Sequence, residues 1–243
     1  MHDEEFSSKP TVRSSHTGVL HIVATPIGNL DDITFRAIDT LKKVSLVAAE
    51  DTRHSKRLFK YHMINTKLIS FFENNEHSRI PKLIEHLMGG NDLALISDAG
   101  TPGISDPAYS IVRESLKNKI RISSVPGPSA VVSALVSSGL PTDRFLFEGF
   151  LPPKKGRKKR LESIRDLEAT IVYYESPRRL TRTLHDLEVV LGDRPAVVAR
   201  ELTKLYEEYR RGTISELRRY YEKNNPKGEI VILVGKENEN VHF

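Results

Sequence analysis

The sequence predicts an α/β protein of two domains, and three observations carry that reading. Short apolar, β-branched runs alternate with longer segments of helical period from Val19 onward. Glycine and proline gather where the strands end. A length of 243 residues allows either one large α/β domain or two ordinary ones, each with a proper core.

In chain order, the runs at 19–24, 44–49, 68–71, 93–97 and 120–125 read as strands, because each is dominated by Val, Ile, Leu and Ala. Helical spacing fills about 33–43, 53–61, 77–89 and 107–118 between them. The second half repeats the pattern, with strands at 145–150, 170–174, 196–200 and 229–234 and helices at about 129–138, 157–168, 177–191 and 215–223. Such alternation implies a parallel or mixed sheet with helices on both faces. Nine strands in one open sheet would be many. Pro126-Gly127-Pro128 falls midway and reads as a hinge, with Ser129 as the following N-cap. We therefore expect domains at 18–126 and 127–237, flanked by a polar, aperiodic and disordered tail at 1–17 and a short tail at 238–243.

Composition narrows the function. Lys and Arg total 37 against 32 Asp and Glu, a net charge of +5. Residues 1–150 hold 17 of each sign, so the whole excess sits in the last 93 residues, with 20 basic and 15 acidic. That asymmetry points to a polyanion or a membrane surface as partner for the second half. Zero Cys excludes disulfides, thiolate metal sites and cysteine nucleophiles. No apolar stretch approaches the ~18 residues of a membrane span. The opening MHDEEFSSKP lacks the basic-then-apolar order of a secretory leader. A cytoplasmic enzyme is the expectation.

The strand-end loops carry the functional groups, and in open α/β sheets that edge is where ligands bind. After the fourth strand, Asp98-Ala99-Gly100-Thr101-Pro102-Gly103 combines two glycines that admit close backbone approach with a stiffening proline. The Asp98 carboxylate suits an ammonium or a ribose hydroxyl; a ligand loop and a stiff turn are both open here. Asp106-Pro107 reads as a helix N-cap and first turn. The spacing is neither GxGxxG nor GxxxxGK[ST], which removes dinucleotide and P-loop readings. After the first strand, Pro26 and Gly28 shape a tight exit, and Asp31 or Asp32 is placed to cap the next helix. Ala49-Glu50-Asp51-Thr52-Arg53-His54 sets acids, an Arg and a His beyond the second strand, for substrate or proton handling or for plain capping by Asp51. Tyr174-Glu175 with Arg178-Arg179, and Arg200-Glu201-Leu202-Thr203-Lys204, are the counterparts in the second half. Lys154, Lys155, Arg157, Lys158, Lys159 and Arg160 place six cations in seven residues at a helix start. Cations there oppose the macrodipole, so the run reads as a phosphate contact and carries no base readout.

Read together, these stretches resemble a known family. Thr25-Pro26-Ile27-Gly28-Asn29-Leu30, Glu50-Asp51-Thr52-Arg53, the 97–107 loop, Pro126-Gly127-Pro128, Glu148-Gly149-Phe150-Leu151-Pro152, Tyr174-Glu175-Ser176-Pro177 and Glu201-Leu202-Thr203-Lys204 occur in that order. The chain is similar over about 18–236 to the small-subunit rRNA (cytidine-2′-O)-methyltransferases of the tetrapyrrole methylase superfamily. The resemblance implies two α/β/α domains with S-adenosyl-L-methionine in the cleft between them, and a homodimer acting on 16S rRNA or the 30S subunit, with no membrane partner. By position it implies cofactor contacts from Pro26, from Asp98, Ala99, Gly100, Thr101 and Gly103, from Ser129 and Ala130, and from Leu151, Tyr174, Glu175, Leu202 and Gly228. At 71–76 the chain reads Phe-Phe-Glu-Asn-Asn-Glu where relatives commonly carry two histidines. It ends at Phe243 where many relatives continue into a small helical region, which implies more reliance on the 154–160 run or on a dimer mate.

A ribose 2′-hydroxyl is a poor nucleophile at neutral pH, so a base or a neighbouring cation should assist it. Glu201 is the expected base and Asp51 the second candidate, with Lys204 or Arg53 stabilising developing negative charge. Arg178 and Arg179 join the 154–160 run as expected RNA contacts. Two rival readings are a small-molecule tetrapyrrole methylase, indifferent to the basic run, and a non-catalytic RNA-binding relative without affinity for the cofactor.

Overall fold

The computed structural model describes residues 17–236; apart from Thr17, the tails expected at 1–17 and 238–243 lie outside the described residues. The first lobe runs β1 (Val19–Val23), α1 (Phe35–Lys43), β2 (Leu46–Ala49), α2 (Thr52–Tyr61), β3 (Leu68–Ser70), α3 (Glu76–Met88), β4 (Leu93–Ile96), α4 (Tyr109–Lys117) and β5 (Arg121–Val125). Its five strands are all parallel, in the order β3-β2-β4-β1-β5. Alternate β4 side chains explain why the strand is apolar throughout. Ala94 and Ile96 pack with Leu41 of α1 and Phe59 of α2, while Leu93 and Leu95 pack with Leu83 and Leu87 of α3 and Ile111 of α4. A parallel sheet covered on both faces needs such continuous runs.

The chain crosses at Pro126-Gly127-Pro128 into the second lobe. There follow α5 (Ala130–Val136), β6 (Phe145–Phe150), α6 (Arg157–Glu162), β7 (Thr170–Glu175), α7 (Leu180–Leu191), β8 (Pro195–Arg200), β9 (Glu208–Thr213), α8 (Ile214–Lys223) and β10 (Ile230–Val234). The sheet order is β6-β7-β10-β8-β9; only β6 and β7 are parallel. Helices α7 and α8 cover one face through Leu184, Leu187, Ile214 and Leu217. The other face takes Val131, Ala134 and Leu135 of α5 together with Ile27 from the first lobe's β1 exit.

The sequence reading misses β9. Glu-Tyr-Arg-Arg-Gly-Thr has no apolar period, because it is an edge strand whose charges are paired along the sheet: Glu208 bridges Arg200 on β8 and Arg210 on its own strand. The helix expected at 157–168 is one and a half turns long and gives way to tighter bonds, Ile164 N to Leu161 O and Leu167 N to Ile164 O. Two caps also differ. Asn29 and Thr34 accept the bonds foreseen for Asp31 and Asp32. Asp106 accepts from Gly103 N instead of capping α4, which starts at Tyr109 beyond a turn with Ser105 at φ 74°.

Two tight fits hold the lobes and the basic segment in place. At Gly28 a Cβ would stand 2.6 Å from Lys204 Cγ, 2.7 Å from Thr203 Oγ1 and 2.9 Å from Leu202 O, so only glycine lets the β1 exit dock under the 201–207 loop. Asn29 N donates to Thr203 Oγ1 at 3.1 Å in the same contact. Arg157, the first residue of α6, is 5% exposed. Its Nε donates to Asp186 Oδ2 at 2.7 Å, Nη2 to Thr183 Oγ1 at 2.8 Å and Nη1 to Pro152 O at 3.3 Å. These bonds fasten the 151–157 loop to α7.

Gly28→Ala is expected to cost about 1–3 kcal/mol through overpacking, seen as a Tm several degrees lower by calorimetry. Arg157→Met is expected to cost roughly 3 kcal/mol, the low end for a broken buried pair because Asp186 is partly solvated. Lys155→Gln, at an exposed position, should stay within about 0.5 kcal/mol; urea midpoints of the two variants distinguish the fold-bound cation from the free one.

Candidate functional site between the lobes

The two sheets bring their loops together at the carboxyl ends of the parallel strands. In the first sheet, the chain leaves β1 toward β2 on one side and leaves β4 toward β5 on the other, so a crevice opens between β1 and β4. The loops at that crevice are tied to one another. Thr25 and Gly100 exchange backbone hydrogen bonds at 2.9 and 3.0 Å, and Thr101 Oγ1 donates to Pro128 O at 3.2 Å. Asp51 N donates to Asp98 Oδ1 at 2.9 Å, and Asp98 N donates to Glu50 Oε2 at 3.3 Å.

Above them lies a cavity of about 370 Å³, within the usual range for a small-molecule site. Of the thirteen residues expected to meet a cofactor, nine line it: Ala99, Gly100, Thr101, Ser129, Ala130, Tyr174, Glu175, Leu202 and Gly228. Ser129 occupies the N-cap position of α5, but its side chain makes no cap bond. The other four are not part of the lining. Pro26 and Asp98 border a separate void of about 30 Å³, Leu151 is buried in the second-lobe core, and Gly103 is occupied with Asp106. Ile27, Ile104, Phe150, Ile230 and Val231 supply an apolar lining that motif reading did not single out.

Four carboxylates line the cavity, and three are already engaged. Glu175 accepts from Thr183 Oγ1 at 2.6 Å and Ser176 N at 2.8 Å, and pairs with Arg179 Nε at 3.0 Å. Glu229 pairs with Lys204 at 3.0 Å. Asp106 accepts from Gly103 N. Glu50 has only the long bond from Asp98 N. Burial pushes the Glu50 carboxyl above the ordinary range, against the lowering effect of that bond, and Asp98, Asp106 and Asp51 push it further by like-charge repulsion. Burial likewise raises Asp106, with Asp98 adding to it. The sequence placed acids at 50 and 106 without marking them as site residues. Glu50 joins the cavity because β2 pairs with β4, Ala49 opposite Ile96, a neighbour relation that local pattern does not contain.

The four residues expected to act in catalysis stand apart from this lining. Asp51 caps α2 through Arg53 N at 2.8 Å, and the Arg53 side chain, 88% exposed, turns back onto it. Those hydrogen bonds from Arg53 hold Asp51 at about 2. Glu201 Oε1 accepts from Lys204 Nζ at 3.0 Å and from Glu229 N at 3.1 Å. Burial would raise Glu201, but those two bonds together with the Lys204 and Arg200 charges outweigh it and keep the carboxyl below its ordinary value. Lys204 is itself shared between Glu201 and Glu229.

The expected RNA contacts divide in the same way. Arg157 is buried in the Asp186 pair, which removes it from the exposed run, and Arg179 binds Glu175 and Leu151 O. Arg160 pairs with Glu148 and Lys158 with Glu162. Lys154, Lys155, Lys159 and Arg178 are exposed, and none forms an ion pair among the described residues. The run begins four residues after Phe150, and Arg178 follows Pro177, so both loops leave directly from the cavity wall.

Comparison with known proteins agrees with this architecture. Residues 19–218 match the model of the Tetrapyrrole (Corrin/Porphyrin) Methylases. Proteins named ribosomal RNA small subunit methyltransferase I are similar over nearly the whole chain. That of Thermotoga maritima is 48% identical over 221 residues, covering 90% of this chain and 100% of the relative. That of Bacillus subtilis is 47% identical over 229 residues, covering 93% and 78%. Among solved structures, a cobalt precorrin-4 methyltransferase superposes with a TM-score of 0.68 at 17% identity, covering 89% of this chain and 94% of that one. A diphthine synthase superposes at 0.70 and 12% identity, covering 90% of each. These two share the fold, while the closer relatives share the sequence as well. The chain belongs to the tetrapyrrole methylase family.

Proposed function

We propose that this chain methylates small-subunit ribosomal RNA, using S-adenosylmethionine, at the 2′-hydroxyl of a cytidine in 16S rRNA. The observation that carries the reading is identity near one half, over about nine tenths of the chain, to relatives named ribosomal RNA small subunit methyltransferase I. The cavity fits the cofactor. Crowded carboxylates at Glu50 and Asp106 favour a ligand with cationic groups, since a positive charge there relieves their mutual repulsion. Ile27, Leu202 and Val231 offer apolar surface for a flat base, and the Gly100 backbone admits close approach. When bound there, S-adenosylmethionine supplies an electrophilic methyl group.

The acceptor hydroxyl has to give up its proton. Among the cavity carboxylates, Glu50 and Asp106 have no cation partner, and Glu50, with only the 3.3 Å bond from Asp98 N, has the freer acceptor positions, so we assign it that proton in preference to Glu201. The protein's larger contribution is alignment, because methyl transfer needs acceptor and donor held in line. The exposed cations Lys154, Lys155, Lys159 and Arg178 hold phosphates of the substrate strand beside the cavity. A homodimer belongs to the same proposal; Phe35, Tyr61 and Met63 leave apolar surface on the first lobe for a second copy. No helix among the described residues is long and apolar enough to cross a membrane, which accords with action on ribosomes in the cytoplasm.

Mass mapping of 16S rRNA from cells with and without the gene is expected to show loss of one ribose methyl on a cytidine; an unchanged methylation map overturns the reading. Glu50 has to be ionised to accept a proton, and its carboxyl lies above the ordinary range, so kcat should fall as pH drops through that raised value. Glu50→Gln should lower kcat by about 10²–10⁴ and erase that acid limb, with RNA affinity unchanged. A variant that keeps the wild-type pH profile removes Glu50 from the role.

A further inference from the structure

We propose that the loop between β8 and β9 is a stacking platform, on which Leu205 and Tyr206 receive an unpaired base of the RNA strand entering the cavity. The strand register fixes where this loop lies. Phe150 pairs with Tyr174, Ile230 pairs with both Glu175 and Arg200, and Arg200 pairs with Glu208. The ends of β6, β7 and β8 and the starts of β10 and β9 therefore form one edge of the second sheet. Five strands spaced at about 4.8 Å make that edge roughly 19 Å long. The basic segment leaves from the β6 end, the 201–207 loop leaves from the β8 end, and the cavity lies between them with Phe150, Pro177, Gly228 and Leu202 in its wall.

Leu205 is 88% exposed and Tyr206 69% exposed, yet the loop that presents them is held from several sides. Glu207 Oε2 accepts from Thr203 N at 2.6 Å, Asn29 N donates to Thr203 Oγ1, and Lys204 is fixed by Glu201 and Glu229. Glu201 at φ 50° and Thr203 at φ 64° adopt the left-handed region without being glycine. Backbone of that kind persists only where the surroundings over-determine it. Leu205 and Tyr206, held in water by a rigid loop, belong to neither core, but they suit the face of a base, which stacks on aromatic and apolar surface without regard to sequence.

Charge identifies the occupant. The unpaired cations Lys154, Lys155 and Lys159 stand at one end of the edge and the apolar pair at the other. A single RNA strand carries both complementary chemistries, phosphate and flat base, at a repeat short enough to reach both. This inference rests on the proposed rRNA substrate and adds where the strand lies.

The test measures binding of an unmethylated small-subunit rRNA transcript by the full chain, by fluorescence anisotropy at several salt concentrations. Leu205→Ser with Tyr206→Ser should weaken binding about tenfold or more at every salt concentration, leaving the salt slope unchanged, whereas Tyr206→Phe keeps wild-type affinity. Lys154→Gln, Lys155→Gln and Lys159→Gln combined should flatten the slope by about 2, the value for three phosphate contacts on a single strand. Circular dichroism and sedimentation velocity on the same samples report fold and oligomeric state. Unchanged affinity of the double serine variant, with wild-type binding intact, overturns the platform. So does a loss of affinity that tracks dissociation of a dimer, which reassigns the pair to an interface between copies. A wild-type chain that does not bind the transcript overturns the substrate reading beneath it.

Discussion

The exchange of backbone hydrogen bonds between Thr25 and Gly100 is the constraint on which the rest of the site depends. Parallel strands end with unpaired backbone groups, and a loop that leaves such an end has no intrinsic reason to stay near its neighbour. Here the β1 and β4 exits pair with each other, and Asp98 then ties the β2 exit in through Asp51 N and Glu50. The same lacing aims Ile27 out of the first lobe and into the core face of the second. Three strand ends thus become one rigid rim, and the second lobe closes over it. The closure contact at Gly28 has no room for a single methyl group. A cavity between two lobes normally invites hinge motion; here the lobes meet at Gly28, packed against Lys204, Thr203 and the Leu202 carbonyl.

Much of this was legible in the sequence, for reasons that differ between elements. Strands β1, β2, β4, β7, β8 and β10 were legible because both of their faces are buried, which forces apolar runs that no surface segment would carry. The rim loops were legible because glycine and proline are needed where a chain turns sharply at a sheet edge. Strand β9 was not, since an edge strand satisfies itself with charges and its pairing partner β8 supplies the order. Asp106 looked like a helix cap because Asp-Pro usually is one, and the left-handed turn at Ser105 redirected it to Gly103.

What stayed hidden was long-range in kind. Glu50 reads as one acid among several until β4 is placed beside β2, which brings Asp98 and Asp106 around it and leaves it with a single long bond from Asp98 N. Arg157 reads as one cation of six until Asp186, twenty-nine residues on, comes to meet it. Glu201 offered the opposite error. It stands at a strand end beside a lysine, as a base might, but the lysine's proximity lowers its carboxyl and makes the carboxylate a weak base. Local pattern locates titratable groups; only their neighbours decide in which direction each of them shifts.

The charge asymmetry between the halves takes its physical sense from this partition. A methyl donor with a cationic centre and an RNA acceptor ask opposite things of the same cleft. The carboxylates that suit the first would repel the second if they faced it across water. The acids lie inside the cavity, three of the four engaged by donors, while the unpaired lysines stand outside on the loop that follows Phe150. The β4 exit lies close to β6, where a Cβ on Gly149 would stand 3.5 Å from Ser105 Oγ, so it is the donors around the carboxylates, and not distance, that separate the two kinds of charge. The charge asymmetry between residues 1–150 and 151–243 thus has a place in the fold: the carboxylates line the cavity, and the exposed cations Lys154, Lys155 and Lys159 stand on the segment that leaves its wall.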